Sequence, residues 1–448
     1  AWIAVMSAES RSSVAGTPCS STNTGHRTVI AASRSRGSVV LRTVSEFPRE
    51  FCIIAIIIVA HSPQRHSMRI STDRILTTHV GSLPRDSAVA EMLLARSRGE
   101  DVDSAAFDVA VGQAVCEVVN KQITAGVDVV SDGEMSKLSY STYIIDRLTG
   151  FGGSTQRKPN LDVAPYPNFR EKMALMTGTQ AIARAACIGP IEIKDREQLS
   201  KDLKNLRSAA DAGLPTEVFM TAASPGVISV FQPNQYYPSH EAYVEALALV
   251  MREEYEAIVD AGFLLQIDCP DLAMAHHTAF QDLSEDEFLK RAEAQVEALN
   301  YALTNVPAES ARLHVCWGNY EGPHDHDIDV EKIMPILMKA KPNAYQFEAS
   351  NSRHAHEWKA WRDAKVPDDV VLIPGVLDST SNFVEHPELV AQRIEQFAEI
   401  VGRERVIAGT DCGFGTFASY EFVANDVAWA KLGALTDGAK IASKRLWG

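Results

Sequence analysis

The residues best suited to chemistry lie in the last third of the 448-residue chain. They are His314, Cys316, Glu348 and Cys412, each at the end of a short apolar run. Imidazole, thiolate and carboxylate groups are common zinc ligands in proteins. Residues i and i+2 of a strand point to the same side, so His314 and Cys316 can ligate one ion together. The sequence therefore predicts a zinc site, provided that the fold brings the three runs to one place.

A structural interpretation of the same residues competes with the metal. A free cysteine is often a small buried apolar residue, and a hydrogen-bonded histidine is common in protein cores. The joint occurrence of all four residues at predicted strand ends favours zinc. A catalytic zinc needs one exchangeable position, and the carboxylate of Glu348 is the easiest ligand to displace.

Two carboxylates form a second candidate group. Glu134 follows the apolar run at 128–132, and Asp268 ends the run at 263–268. Two acids on the same rim as a metal suit the ammonium group of an amino acid. The alternative is a pair of capping or ion-paired acids, which are frequent where strands meet helices. The Gly-Ser turn at 81–82 offers backbone amides that can hold a carboxylate.

The elements that must position these residues alternate between strand and helix. From Thr77 onward eight strands are predicted, at 77–82, 128–132, 216–222, 263–268, 311–316, 343–348, 371–376 and 406–411. Helical periods separate most of them; the helix predicted at 239–262 starts at a Ser239 N-cap and stops at Gly262. Eight such units predict an α/β fold, a (β/α)8 TIM barrel whose functional groups gather where the strands end. The stretch 145–200 is predicted to be an insertion, with an accessory strand at 185–193.

The first 67 residues differ from the rest in composition. They contain seven Arg, no Lys and no Asp, and they show no sustained hydrophobic period. We predict that residues 1–67 are a disordered or non-native extension, with a transit peptide as the alternative, and that the barrel domain occupies 75–448. The apolar run at 51–60 is only ten residues long, too short to cross a bilayer.

Charge and composition exclude several function classes. The net charge of −15 argues against a nucleic-acid partner, and no phosphate-binding glycine motif follows a predicted strand. Seven scattered cysteines do not form a disulfide framework, so we expect a reduced, cytoplasmic protein with no membrane partner.

Three histidine pairs fall in predicted loops. They lie at 276–277, at 324 and 326, and at 354 and 356. Histidines in loops are usually solvated, and we predict this state for all three pairs. The pair at 324 and 326 follows Cys316 closely enough to line the entrance of the predicted site.

The combined motifs resemble the catalytic domain of cobalamin-independent methionine synthase, in the superfamily shared with uroporphyrinogen decarboxylase. The resemblance runs from about Ile75 to the C-terminus. It rests on six motifs: TTHVGSLPR, the DGE at 132–134, QIDCPDL around Asp268, HVC at 314–316, FE at 347–348 and GTDCGFGT at 410–417. The combination is specific, whereas each motif alone is not.

The resemblance implies a zinc-dependent methyl transfer to the thiol of homocysteine, which gives methionine. It implies four zinc ligands, namely His314, Cys316, Glu348 and Cys412. The homocysteine amine is expected against Glu134 and Asp268, and the homocysteine carboxylate against Ser82. We expect Glu348 and Asp268 to take part in catalysis.

Three departures from the family pattern leave the methyl donor open. The full-length family enzyme has a second barrel before this one, for which the sequence leaves no room. The family's histidine after the seventh strand is absent from the corresponding stretch 378–381, and Cys269 stands where the family has Glu. Methyl-folate and a methylated corrinoid such as methylcobalamin are both compatible donors, and homo-oligomerisation is left open.

Three other functions are compatible with parts of this sequence pattern. Short relatives include epoxyalkane:coenzyme M transferases, which open an epoxide with the same zinc-thiolate chemistry. Coenzyme M carries a sulfonate that favours cationic partners, so the acids Glu134 and Asp268 favour an amino-acid thiol instead. The remaining alternatives are a non-catalytic barrel that binds metal or thiols and a decarboxylase-like barrel without metal.

Overall fold

The computed structural model describes residues 67–156, 158–177, 185–418 and 422–448, together with two strands before them. The chain divides into two compact units, Ala1–His61 and Ser62–Gly448. In the first unit, Val29–Ser35 pairs antiparallel with Ser38–Val44. The predicted extension 1–67 and the apolar run at 51–60 lie otherwise outside the described residues, so the disorder stays a prediction.

Eight short parallel strands form a barrel in the described part of the second unit. They are β1 (Leu76–Thr77), β2 (Val129–Val130), β3 (Glu217–Ala223), β4 (Leu264–Asp268), β5 (Ala311–His314), β6 (Ala344–Phe347), β7 (Val371–Pro374) and β8 (Ile407–Ala408). β2 to β7 make one sheet whose neighbours follow chain order, and β8 pairs with β1.

The remaining two seams of the barrel are closed by isolated contacts. Parallel bridges at Leu372–Val406 and Gly375–Gly409 connect β7 to β8. The amide of Asp128 donates to the carbonyl oxygen of Thr77 at 3.2 Å, between β1 and β2. The predicted (β/α)8 barrel is confirmed, and each of its eight predicted strands overlaps an observed one.

The period of two along each strand gives the barrel interior its layers. A lower apolar layer contains Leu76, Val129, Phe219, Leu264, Ala344, Val371, Ile373 and Ile407. Two residues further along β4 and β6, Gln266 and Gln346 begin a polar layer. The buried guanidinium of Arg312 occupies this layer, where it donates to Gln266 Oε1 at 2.9 Å and lies 3.7 Å from the Phe219 ring centroid. Another two residues along the same strands come Asp268 and Glu348, at the rim.

Helices cover the outside of the barrel and its rim. They are α1 (Ser87–Ser97), α2 (Ser104–Thr124), α3 (Ile144–Arg147), α4 (Pro167–Thr177), α5 (Glu197–Gly213), α6 (Pro225–Phe231), α7 (His240–Asp260), α8 (Glu285–Ala302), α9 (Val330–Leu337), α10 (Trp358–Asp363), α11 (Pro387–Val401) and α12 (Asn425–Trp447). In the described part of the chain, 3-10 turns occur at Pro270–Leu272, Met274–His276, Ala308–Ser310 and Arg403–Arg405. The described residues contain no helix that is both long and apolar enough to cross a membrane.

Local sequence signals account for the helix that was predicted in most detail. The Ser239 hydroxyl accepts a hydrogen bond from the Ala242 amide at 3.1 Å, which caps α7. α7 then continues to Asp260 and stops just before Gly262, whose φ of +78° suits glycine. The predicted bounds of 239–262 are therefore correct to within two residues.

The predicted insertion 145–200 is present after β2. Its accessory strand is much shorter than predicted, because only Ala186–Cys187 pairs, antiparallel to Phe151–Gly152. Gly150 has a φ of +85°, and a Cβ at this position would lie 2.6 Å from the Pro190 carbonyl oxygen. Glycine is therefore required where the two arms of the insertion approach each other.

Candidate metal and thiol site

The four predicted metal ligands meet at one end of the barrel. Cys412 Sγ lies 3.2 Å from Cys316 Sγ, 3.9 Å from His314 Nε2 and 3.8 Å from Glu348 Oε1. Zinc bonds of about 2.0–2.3 Å in a tetrahedron place neighbouring ligand atoms roughly 3.3–3.8 Å apart. The four side chains are buried, and both thiols are free rather than joined in a disulfide. The donor types and their spacing therefore fit a zinc ion.

Neighbouring groups hold the candidate ligands in place. The Trp317 amide donates to Glu348 Oε1 at 2.8 Å, and the Asn351 side-chain amide donates to Oε2 at 2.7 Å. His314 Nδ1 lies 3.2 Å from Asp268 Oδ1, which leaves Nε2 directed toward the sulfur atoms. A carboxylate that fixes the far nitrogen of a ligating histidine is a common feature of metal sites.

The protein alone does not favour thiolates at this position. Burial, together with the neighbouring Cys316 thiol and the Glu348 carboxylate, raises the pKa of Cys412 well above its usual value. A divalent cation reverses this preference, because it stabilises the ionised sulfur directly. The two thiols are therefore suited to binding a cation, because without one Cys412 stays protonated.

Glu134 has the properties of a residue held ready for a ligand. It is 1% exposed and adopts a φ of +60°, which is unusual for a residue other than glycine. Its Oε1 accepts a hydrogen bond from the Thr221 hydroxyl at 2.9 Å, but its Oε2 accepts none from the described residues. Burial, with a further contribution from the Asp268 charge, raises the pKa of Glu134 to about 7.

One cavity connects the candidate metal ligands to the two acids. It has a volume of about 170 Å³ and opens to solvent. Its lining includes six of the predicted site residues, namely Ser82, Glu134, Asp268, His314, Cys316 and Cys412. Glu348 is set back from the cavity surface. Much of the remaining wall is aromatic or apolar, and includes Tyr140, Phe231, Met274, Phe417 and Phe422.

Ser82 reaches the cavity because the loop after β8 packs closely against the loop that contains Ser82. The Phe414 amide donates to the Ser82 carbonyl oxygen at 2.8 Å. A Cβ at Gly413 would lie 2.0 Å from Ser82 Oγ, so only glycine allows this contact. The structure therefore places Ser82 beside Cys412, on the same cavity as Glu134 and Asp268.

Asp411, which no sequence motif singled out as a site residue, connects two strand ends. Its carboxylate accepts hydrogen bonds from the amides of Ala349, Ser350 and Asn351 at 2.9–3.0 Å. These contacts anchor the loop after Glu348 to the residue before Cys412. Direct adjacency to a predicted ligand is the signal that would have identified Asp411.

Ser379 has a role that the resemblance did not suggest. Its hydroxyl accepts a hydrogen bond from the Cys412 amide at 3.1 Å and donates to Asn319 Oδ1 at 2.9 Å. The stretch without the expected histidine therefore supports a candidate ligand. Cys269 is fully buried beside Ser224 and lies outside the ligand group that the described residues form.

The prediction of solvated loop histidines is wrong for one member of each pair. His277, His324 and His354 are buried, whereas His326 and His356 are exposed as predicted. Carboxylates supply the buried rings with polar neighbours, above all Asp327, which lies within 3.3 Å of all three. Asp327 is only three residues from His324, but its contacts with His277 and His354 are long-range and cannot be recognised from the sequence.

Known proteins share the resemblance that the motifs indicate. The model of the cobalamin-independent synthase catalytic domain matches residues 226–431. The methionine synthase of Saccharolobus solfataricus is 26% identical over 373 residues, which cover 83% of this chain and 95% of that protein. The methionine synthase of Sulfolobus acidocaldarius is 24% identical over 371 residues, which cover 83% of this chain and 93% of that protein.

Solved structures show the same barrel. The B12-independent methionine synthase from Shewanella sp. W3-18-1, in complex with selenomethionine, superposes with a TM-score of 0.63 at 20% identity. It covers 83% of this chain and 99% of its own. The putative vitamin-B12 independent methionine synthase from Listeria monocytogenes gives a TM-score of 0.56 at 17% identity, with coverages of 84% and 99%. These findings support the resemblance seen in the motifs: residues 226–431 match the catalytic domain of the cobalamin-independent synthase, and most of the chain is similar to methionine synthases.

Proposed function

We propose that this chain transfers a methyl group to the sulfur of homocysteine and so forms methionine, with a zinc ion held by His314, Cys316, Glu348 and Cys412. The similarity to methionine synthases supports a methyltransferase. One observation carries the detailed proposal: the thiol-rich donor set and the acids Glu134 and Asp268 border the same cavity.

The metal-binding residues prepare the site for a thiol. A zinc ion bound there supplies a Lewis acid that lowers the pKa of a substrate thiol brought to it. Among the four residues that would hold the ion, Glu348 supplies the carboxylate, which the Trp317 amide and the Asn351 side chain hold beside the two thiols. Cys316 and Cys412 must be reduced to bind the ion, which supports a cytoplasmic location.

The two acids orient homocysteine through its amine. Glu134 Oε2 is buried and accepts no hydrogen bond from the described residues, so a substrate ammonium group would satisfy it. Asp268 lies between the amine pocket and His314, and so couples substrate position to ligand position. Ser82, on the same cavity, is the proposed contact of the homocysteine carboxylate.

The transfer itself breaks one bond and forms another. The homocysteine thiol releases its proton to solvent and its sulfur bonds to the methyl carbon. The bond between methyl and donor breaks, and its electron pair leaves with the donor, which takes up a proton where the leaving atom is the folate nitrogen. The aromatic side of the cavity can hold a flat donor next to the thiol and exclude water. Methyl-folate and a methylated corrinoid remain the two proposed donors.

A donor comparison tests this function. Zinc-loaded protein is incubated with homocysteine and, in separate reactions, with methyl-folate, methylcobalamin or a sulfonium donor, and methionine is measured. We expect methionine with one of the first two donors. Zinc-loaded protein that forms none with any donor, but joins coenzyme M to an epoxide, would replace the proposal with the epoxide-opening alternative.

A further inference from the structure

A second group of metal-ligand side chains lies buried near the first. Asp162 comes from the insertion after β2, His277 follows β4 and Asp327 follows β5. One ligand atom of each lies within 4.8 Å of the other two. His277 Nδ1 is 3.3 Å from Asp327 Oδ1, and His277 Nε2 is 3.8 Å from Asp162 Oδ2. Their side chains are at most 3% exposed.

Asp162 is short of hydrogen-bond donors. The Tyr320 hydroxyl donates to its Oδ2, but its Oδ1 accepts no hydrogen bond from the described residues. A buried carboxylate oxygen without a donor is costly, and such atoms often mark a bound ion. Asp162 thus points to a missing positive partner independently of how the three residues cluster.

The other charges nearby are already matched with one another. The Asp327 carboxylate lies 3.1 Å from both His324 Nδ1 and His354 Nε2. Asp327 is therefore shared by three imidazole rings, whereas Asp162 pairs only with the His277 ring and forms no ion pair with a Lys or Arg of the described residues.

We propose that Asp162, His277 and Asp327 bind a divalent transition-metal ion in addition to the ion at the thiol site. Two carboxylates and one imidazole without sulfur suit Mn²⁺, Fe²⁺ or Zn²⁺. The competing arrangement is a protonated His277 between the two carboxylates, which needs no metal.

The consequence of such an ion is structural. Asn160, Met274 and Tyr320 line the substrate cavity and lie on the same three loops as Asp162, His277 and Asp327. An ion shared by these loops would hold one wall of the cavity in place. The proposal does not depend on the identity of the substrate or of the methyl donor.

Metal counting tests the proposal. Purified full-length protein is stripped with a chelator, dialysed against Mn²⁺ or Zn²⁺, and measured by elemental analysis. We expect two equivalents of Zn²⁺ per chain for the unmodified protein and one for Asp162→Asn, which retains an acceptor for Tyr320. The matched control is His326→Ala on the same loop as Asp327, because its ring is exposed; this variant should keep both equivalents.

A variant of the first site separates the two ions. Cys412→Ser should lose the equivalent held by the thiols and keep one equivalent of Mn²⁺ or Zn²⁺. This result remains decisive even if Asp162→Asn does not fold. One equivalent in both the unmodified protein and Asp162→Asn, or no metal in Cys412→Ser, would overturn the proposal and favour the protonated His277.

Discussion

The thiol site and the acid-imidazole cluster, formed by Asp162, His277 and Asp327 with the neighbouring His324 and His354, balance buried charge in different ways. Both place ionisable groups in a buried region, and both gather them from several loops. At the thiol site, burial keeps Cys412 protonated, so the charged form depends on an added cation. In the cluster, the rings of His324 and His354 lie 3.1 Å from the Asp327 carboxylate. Burial opposes protonation of both rings, but hydrogen bonds to acids raise the pKa of both histidines. The first site is therefore built around a ligand, whereas the second is largely satisfied by its own side chains.

This difference predicts where substitutions are severe. Removing a sulfur from the thiol site removes a metal ligand for which no nearby group substitutes. Removing the Asp162 carboxylate from the cluster leaves Asp327 beside its three histidine partners. The variants below separate the two regions, in order of decreasing effect.

Cys412→Ser should have the largest effect. A serine hydroxyl is a poor zinc ligand, so we expect loss of most zinc from the thiol site and a fall in methyl transfer of more than roughly 100-fold, beyond the usual cost of losing even a supporting residue. Elemental analysis and a methionine assay measure the two losses. Unchanged zinc content would contradict the assignment of Cys412 as a ligand.

Glu134→Gln should impair homocysteine binding and spare the metal. The loss of a charged hydrogen bond of about 1.5–3 kcal/mol corresponds to a roughly 10- to 150-fold fall in kcat/KM for homocysteine. Zinc content should stay at the unmodified level. Equal losses of zinc and of homocysteine affinity would show that Glu134 supports the metal rather than the amine.

The same residue predicts a pH dependence. The pKa of Glu134 is raised to about 7, chiefly by burial, so its carboxylate is lost progressively as the pH falls below that value. Because the ammonium group needs the ionised form, KM for homocysteine should rise as the pH falls from about 8 to 6. Measured over this range, Glu134→Gln should lack this component of the rise.

The two regions also differ in how far they could be predicted from sequence. Along β4 and β6, every second residue points into the barrel: first an apolar residue, then Gln266 or Gln346, and finally Asp268 or Glu348 at the rim. Because this period of two is visible in the sequence, the strands and the positions of the first site could be predicted. Strand ends were less accurate: the strand predicted at 406–411 is reduced to Ile407–Ala408, because beyond it pairing continues only as an isolated bridge at Gly409.

Loop residues carried no comparable signal. His277 and Asp162 are separated by more than a hundred positions, and they meet only because the insertion after β2 folds over the loop after β4. No local pattern distinguishes buried His324 from exposed His326 two residues later. Long-range contacts between loops, rather than periodicity, decide which histidines become part of the interior.

Asn351→Ala should have an intermediate effect. The variant removes the hydrogen bond to Glu348 Oε2 and one of the hydrogen bonds to Asp411, but it leaves all four ligands in the chain. We expect zinc affinity to fall by roughly 10-fold, the lower range for a supporting residue. Competition with a chromogenic chelator measures this change, and the metal in the cluster should be unaffected. An affinity equal to that of the unmodified protein would show that the Trp317 amide is enough to position Glu348.

Cys269→Ala should have the smallest effect on metal binding, although it also removes a buried sulfur. Cys269 faces Ser224 rather than the other thiols, and burial first, then the nearby Asp271 charge, raises its pKa well above the usual value. Its sulfur therefore packs as an apolar atom, so we expect unchanged zinc content and about 1 kcal/mol lower unfolding free energy. Urea unfolding and elemental analysis on the same preparation measure both quantities. A loss of zinc would mean that burial and proximity in sequence are enough to make a thiol a ligand here, and that the distances around Cys412 do not define the site.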